Sequence, residues 1–307
     1  MRLPSSLPDD LPPTFAIADA AERGLPAGRL RRGDLEVPYP GVRRRLGGAL
    51  PSSVRDLCQI YAPRLKSWQF FSHETALALI GAPLPEWPYL PSIHVSAHRP
   101  AREPRLANVA GHRLQLREAA TLVDAAGLPI EHPVRAWRQC GPLWQLDDLV
   151  AAADYLVSGE TPWASADDLA HEVAVMGDVR GAVLRRALSL VRPGVRSSRE
   201  TRLRLVLGRA GLPEPQINWV LRTAEGGFVA ELDLAYPRYR VGAEYDGRVH
   251  AEDPAQFAKD ADRWDRIRAE GWDHVRVLNH HMRGGGAAAV AKVRDALQRG
   301  GWHPRRT

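Results

Sequence analysis

A chain of 307 residues, 44% hydrophobic and 25% charged, has the make-up of an ordinary globular protein and the length of about two or three domains. Its formal charge of +6 favours a polyanionic partner, with arginine supplying nearly all the cations, since only Lys66, Lys259 and Lys292 are lysines. Two distant cysteines, Cys58 and Cys140, exclude a disulfide framework and a four-cysteine zinc site, and no run reaches the ~18 apolar residues of a membrane span. The setting expected from these features is a reduced cytoplasm without membrane association.

Residues 1–14 read as a proline-punctuated arm, with acids and prolines interrupting any signal-like apolar core. An alanine-rich helix follows and ends at Gly24, a short second helix carries Arg29, Arg31 and Arg32, and residues 37–45 form a small wing. Helix, turn, basic helix and wing over residues 15–50 match a winged helix-turn-helix, whose arginines meet phosphates and base edges. A small helical cap with a solvated basic face is the other reading of the same stretch. Residues 51–125 are mixed α/β: Ser72 caps a helix that stops at Gly81, a proline-rich turn follows, and a strand begins at Ile93. His94, His98 and His112 match no metal-ligand spacing and read as structural or surface residues.

Residues 126–195 read as a helical connector, with helices over 146–157, 167–176 and 180–190, and with Asp147, Asp148 and Asp154 as ordinary surface acids. After the break at Arg192-Pro193-Gly194, Ser197 and Glu200 have the spacing of a capping box. That helix runs to Gly211 and places Glu200 on its apolar stripe, either as the capping partner or as a group aimed into the sheet. Asp253 and Pro254 start another helix, Gly271 ends it, a strand runs to Leu278, and a last helix covers residues 287–298.

Residues 228–250 carry two runs of alternating apolar and polar residues that meet at Pro237-Arg238, the signature of a β-hairpin. With a two-residue turn there, Glu244 lies opposite Glu231 and diagonal to Asp233, and Asp246 shares the face. Like charges opposed in a sheet repel, so the face is either solvated and splayed or holds a cation. The following helix repeats Lys259, Arg263 and Arg266 at helical spacing, a basic stripe beside the acids. Carboxylates are natural ligands for a hard divalent ion, and such an ion with a basic stripe is what hydrolysis of a phosphodiester requires.

In order along residues 196–280 stand E-T-R-L-R at Glu200, G-L-P-E-P at Gly211, L-D-L-A-Y-P around Asp233, E-Y-D-G-R-V-H from Glu244 to His250, and K-D-x-x-R-x-x-x-I-x-x-x-G-W from Lys259. This series resembles the endonuclease-like domains related to very-short-patch-repair endonucleases, within the PD-(D/E)XK superfamily. The resemblance implies a restriction-endonuclease-like α/β domain with a mixed sheet over residues 196–303, and Mg2+ or Mn2+ held by Asp233 and Glu244. It also implies assistance from Glu200, Asp246 at the position where the E-x-K pattern has lysine, and His250 where related repair nucleases use histidine. The structural zinc site of the repair enzymes has no counterpart, so no zinc is expected.

The front half, through A-E-R-G-L-P-A-G-R-L-R-R and F-S-H-E-T-A-L-A-L-I-G-A-P-L-P, resembles AbiEi-type antitoxins and regulators, a winged helix preceding a mixed α/β domain. The expectation is an α/β multidomain protein that binds DNA and cleaves it with a divalent metal. The alternative is a non-catalytic DNA-binding regulator or antitoxin-like protein with a degenerate nuclease fold and, in that case, a toxin or other protein partner.

Overall fold

Strand β1 (Thr14–Ala16) leads into α1 (Ile17–Glu22), one 3-10 turn at Arg29–Arg31, and strands β2 (Leu35–Glu36) and β3 (Val42–Arg45), which complete a small sheet in the order β1-β3-β2. Phe15, Ala20, Leu30 and Leu35 bury together beneath Leu7 and Leu11. The basic helix expected around Arg29 is therefore a single turn. Gly28 and Gly33 flank it closely and leave too little chain between helix breakers for an α-helix that offers a row of side chains to a groove.

The computed structural model describes residues 6–86, 92–117, 121–246 and 254–304, and the chain divides into two compact units, 1–140 and 141–307. The first unit continues with α2 (Val54–Tyr61), whose N-terminus is closed by a Ser53/Asp56 capping box. Then come β4 (Gln69–Phe71), α3 (His73–Leu79), β5 (Ile93–His98), β6 (Val109–Leu114), β7 (Thr121–Val123), β8 (Pro129–Glu131) and α4 (Pro133–Gln139). The strands order as β6-β5-β4-β8-β7, with β5 parallel to β6 and β4 parallel to β8. Phe70, Phe71, Leu77, Ile130 and Trp137 are fully buried. Ser72 stands at the N-cap of α3 but makes no capping bond, because its hydroxyl is engaged by His73 and Ser96 instead.

In the second unit, α5 (Leu146–Leu156), α6 (Ala166–Met176) and α7 (Val183–Leu190) precede α8 (Ser198–Arg209). The stretch expected to be a connector is thus shared between the two units, most of it in the second. The reason lies in the acids of α5. Asp147 pairs with Arg209, Asp148 with Arg202, and Asp154, buried rather than on the surface, with Arg204 and Thr201, so α5 and α8 are joined by a seam of ion pairs.

Next come β9 (Gln216–Arg222), β10 (Phe228–Tyr236), β11 (Val241–Asp246), α9 (Pro254–Ala269), β12 (Asp273–Leu278) and α10 (Ala287–Arg299). The sheet order is β12-β11-β10-β9. The antiparallel run β9–β11 is followed by β12 parallel to β11, so the chain crosses over through α9. Leu234, Tyr236, Val241, Ala243, Val275 and Val277 pack with Leu203 and Leu207 of α8 and Val293 and Leu297 of α10. Ala230, Leu232 and Ala235 pack with Ile267 and Trp272. The sequence pattern leads from α8 directly into the hairpin, and β9 is an additional strand between them.

The hairpin turn is longer than the expected two residues. Pro237–Tyr239 make a 3-10 turn and Arg240 closes it in the left-handed region at φ 51°, giving the pairs Tyr236 with Val241 and Leu234 with Ala243. The next residues along the ladder are Asp233 and Glu244. The acid beside Glu244 is therefore Asp233 and not Glu231, a shift of two positions along the strand. No helix among the described residues is long and apolar enough to cross a membrane.

Candidate functional site

The carboxylates gather where α8, β10, β11 and α9 meet. Ser197 caps α8 by accepting the Glu200 N–H at 3.2 Å, and the buried Glu200 carboxylate in return accepts from the Ser197 hydroxyl at 2.8 Å and the Arg196 N–H at 3.0 Å. Capping thus fixes Glu200 near enough to Asp233 for its charge to act there. On β10, Leu232 and Leu234 join different hydrophobic clusters, so strict alternation breaks at the Asp233 between them. The Tyr245 N–H donates to the Asp233 carboxylate.

Three of the four hairpin acids are met by arginines. Arg263 of α9 places both terminal nitrogens on Glu244, Nη1 at 2.8 Å, and also reaches the Glu231 carbonyl at 2.6 Å. His274 Nε2 approaches Glu244 at 2.9 Å. Arg196 pairs with Glu231 at 2.7 Å, and Arg276, lying over the Trp264 ring at 3.8 Å, reaches Asp246. Asp233, Glu244, Tyr245, Asp246, Asp260, Arg263, Trp264 and Arg276 line a cleft of about 270 Å3.

This geometry separates the two central acids. Burial, together with the neighbouring Glu200 and Glu244 carboxylates, raises the Asp233 carboxyl to about 7. Burial also works to raise Glu244, but the His274 imidazole and the Arg263 guanidinium beside it outweigh that and hold it at about 2. At neutral pH the cleft therefore holds one fixed anion, clamped by a cation, and one carboxyl poised between its two forms. A group poised in this way suits either proton transfer or the capture of a cation that displaces the proton.

Glu200, Asp233, Glu244 and Asp246 are brought together; His250 lies outside the described residues. Of the basic stripe on α9, Lys259 and Arg266 are exposed, whereas Arg263 turns into the cleft and is spent on Glu244. In the first unit Arg31 and Arg32 are exposed, but Arg29 is 6% exposed and forks onto Asp34 at 2.9 and 2.6 Å, which makes it part of the scaffold and not a surface for DNA. Sequence reasoning missed His274, Arg276 and Trp264. A signal was available for two of them, because His274 and Arg276 alternate with Val275 and Val277 on a strand beside β11. His94 and His112, expected to be structural or surface residues, lie together with His73 in the first unit.

No protein-family model matches the chain. It is similar to Uncharacterized protein Rv2248 of Mycobacterium tuberculosis (strain ATCC 25618 / H37Rv) and to Uncharacterized protein MT2308 of strain CDC 1551 / Oshkosh. Each is 25% identical over 267 residues, 87% of this chain and 96% of the relative. A match of that length exceeds either compact unit, so it includes parts of both. Among solved structures the chain is similar to the RV2827C protein from Mycobacterium tuberculosis, with a TM-score of 0.40 and 20% identity over 59% of this chain and 72% of that one.

Proposed function

We propose that this protein binds DNA and that its second unit is a divalent-cation-dependent endonuclease of the PD-(D/E)XK type, similar to the very-short-patch-repair enzymes. The observation that carries the reading is Asp233: a half-buried carboxyl near two others, Glu200 and Glu244, and raised to about 7 by burial and by those two neighbours. The supporting topology is a helix bearing an acid, an antiparallel run bearing two more, and a helical crossover to a parallel strand. The donors fit Mg2+ or Mn2+, since carboxylate oxygens of Asp233 and Glu244 are hard ligands, with Glu200 behind them. When bound, such an ion polarises the scissile phosphate and activates water.

This chain's own residues do the remaining work. Arg276 brings a cation to Asp246, where the superfamily pattern has lysine, and its guanidinium lies over the Trp264 ring. Exposed Lys259 and Arg266 would meet phosphates, and the resemblance gives His250, which lies outside the described residues, the role of orienting the water or stabilising the leaving group. The test is nicking of supercoiled, linear, single-stranded and mismatched DNA with Mg2+ and Mn2+. Cleavage that Asp233→Ala abolishes supports the reading. No nicking of any substrate with either metal, or cleavage indifferent to Asp233→Ala, removes it.

One observation favours a second, non-catalytic reading, that of a DNA-binding regulator or antitoxin-like protein. The Arg263 fork on Glu244 already supplies the positive charge that a metal would otherwise bring. Under it, DNA binding is the same with and without divalent metal, and Arg263→Gln, not Asp233→Ala, disturbs the second unit.

A further inference from the structure

The first unit holds a second convergence of ligating side chains, built from residues that are scattered in sequence. His73 opens α3, His94 lies on β5, and His112 lies on β6, opposite Ser96 in the parallel ladder. One ligand atom from each falls within 4.8 Å of the other two. The His73 and His112 rings stack with centroids 3.8 Å apart, the His94 and His112 centroids are 4.9 Å apart, and His112 Nε2 lies 2.9 Å from His94 Nδ1.

Two of the three rings are held from behind. Ser72 Oγ lies 2.9 Å from His73 Nδ1 and is itself fixed by the Ser96 hydroxyl at 2.6 Å. The buried Glu74 Oε1, which accepts the Ser92 N–H at 2.9 Å, lies 3.6 Å from His94 Nε2. Oxygens beside the outer nitrogens orient metal-binding histidines, and here Ser72 and Glu74 sit beside His73 Nδ1 and His94 Nε2, which leaves Nε2 of His73 and Nδ1 of His94 as the candidate ligand atoms.

His73 also adopts φ 52°, a left-handed conformation that is uncommon outside glycine and persists only when the surroundings demand it. The demand is visible: the His73 N–H donates to Gln139 Oε1 at 3.1 Å, and Gln139 is tied to the buried Glu131 at 3.0 Å. The strained residue is the one that carries the third ring into the cluster.

We infer that His73, His94 and His112 form a binding site for a borderline transition-metal ion, Zn2+ foremost, with Glu74 and Ser72 as the residues that orient the ligands. Imidazole nitrogen is the ligand such ions prefer, and three protein ligands with a half-buried third histidine leave a fourth position open to water or substrate. Burial lowers all three histidines, His73 to about 2 and His94 and His112 to about 4, so their lone pairs are available at neutral pH. A Zn–N bond of about 2.0–2.1 Å sets ligand nitrogens about 3.4 Å apart, and the three candidate ligand atoms lie within 4.8 Å of one another. The site is independent of the C-terminal carboxylates and takes a softer metal than they would.

The experiment is titration of the chelator-stripped, tag-free full chain with Co2+ as a visible-absorption probe, followed by displacement with Zn2+. The expected result is one equivalent of Co2+ with the intense bands of a four-coordinate site, bleached by one equivalent of Zn2+. His112→Ala loses the bands. Glu74→Gln weakens binding by about 10–100-fold, as loss of an outer partner does. His98→Ala, on the same strand as His94 but outside the cluster, and Asp233→Ala in the second unit both leave the spectrum unchanged. Absence of bands in the wild-type chain at stoichiometric Co2+, or identical bands in a folded His112→Ala chain, overturns the assignment. Should His112→Ala not fold, His112→Asn takes its place, and the wild-type titration stands as a test by itself.

Discussion

At the scale of single residues, the cleft depends on the contrast between Asp233 and Glu244. Because the Asp233 carboxyl is raised to about 7, the folded chain holds a proton there that the unfolded chain releases near the ordinary carboxylate value. Its contribution to stability is thus complete at acid pH and is lost as pH climbs towards about 7. Glu244, lowered to about 2, behaves oppositely: its contribution is present above the ordinary carboxylate range and is lost only as pH falls through about 2.

Asp233→Asn is therefore expected to flatten the decline in metal-free stability between about pH 4 and 7, read by urea melts across pH, while removing Mn2+ binding. In the wild type, Mn2+ affinity should rise about tenfold per pH unit up to about 7, since binding expels that proton, and calorimetry in buffers of different ionisation enthalpy would count it. These two acids were legible in the alternation of residues 228–250. What the sequence did not reveal was which basic residues face inward. Arg29 and Arg263 carry the same side chain as Arg31 and Arg266, and only the fold decides that the first pair spend their guanidinium groups on Asp34 and Glu244.

At the scale of elements, the helix boundaries around α5, α8 and α10 were readable from Gly, Pro and Ser at their ends, while two features were not. Strand β9 is only partly buried, so Q-I-N-W-V-L-R lacks the clean alternation that marks a half-buried strand. The turn at Pro237–Arg240 uses an arginine in the left-handed region, a residue that carries no turn signature. The α5–α8 seam was likewise hidden, since an aspartate on a helix looks the same whether it meets water or Arg204. Asp154→Ala strands the 3%-exposed Arg204 and should cost about 3–5 kcal/mol in urea unfolding of the full chain. Asp147→Ala, which breaks the more exposed pair with Arg209, should cost no more than about 1 kcal/mol.

At the scale of the molecule, a formal charge of +6 and a pI near 9.7 give the proposed DNA binding a measurable salt signature. Each phosphate neutralised steepens the dependence of log affinity on log salt by about 0.9, so Arg31→Ala, Arg32→Ala, Lys259→Ala and Arg266→Ala should each make the slope shallower by about 1 if the residue meets DNA. Arg29→Ala should instead lower the melting temperature and leave the slope unchanged, because Arg29 is committed to Asp34.

The far end of the β10–β11 hairpin bears on everything proposed for its acids. A methyl group on Gly300, just past α10, would stand 2.4 Å from the Tyr239 carbonyl, and the Arg240 carbonyl accepts the Asp273 N–H at 2.8 Å. The bend is thus gripped by the close of the last helix and the start of the last strand, which together meter how far one arm of the hairpin slides past the other. The alignment of Asp233 with Glu244 is calibrated from the opposite end of the sheet, and a single added carbon at position 300 would detune the cleft without touching it.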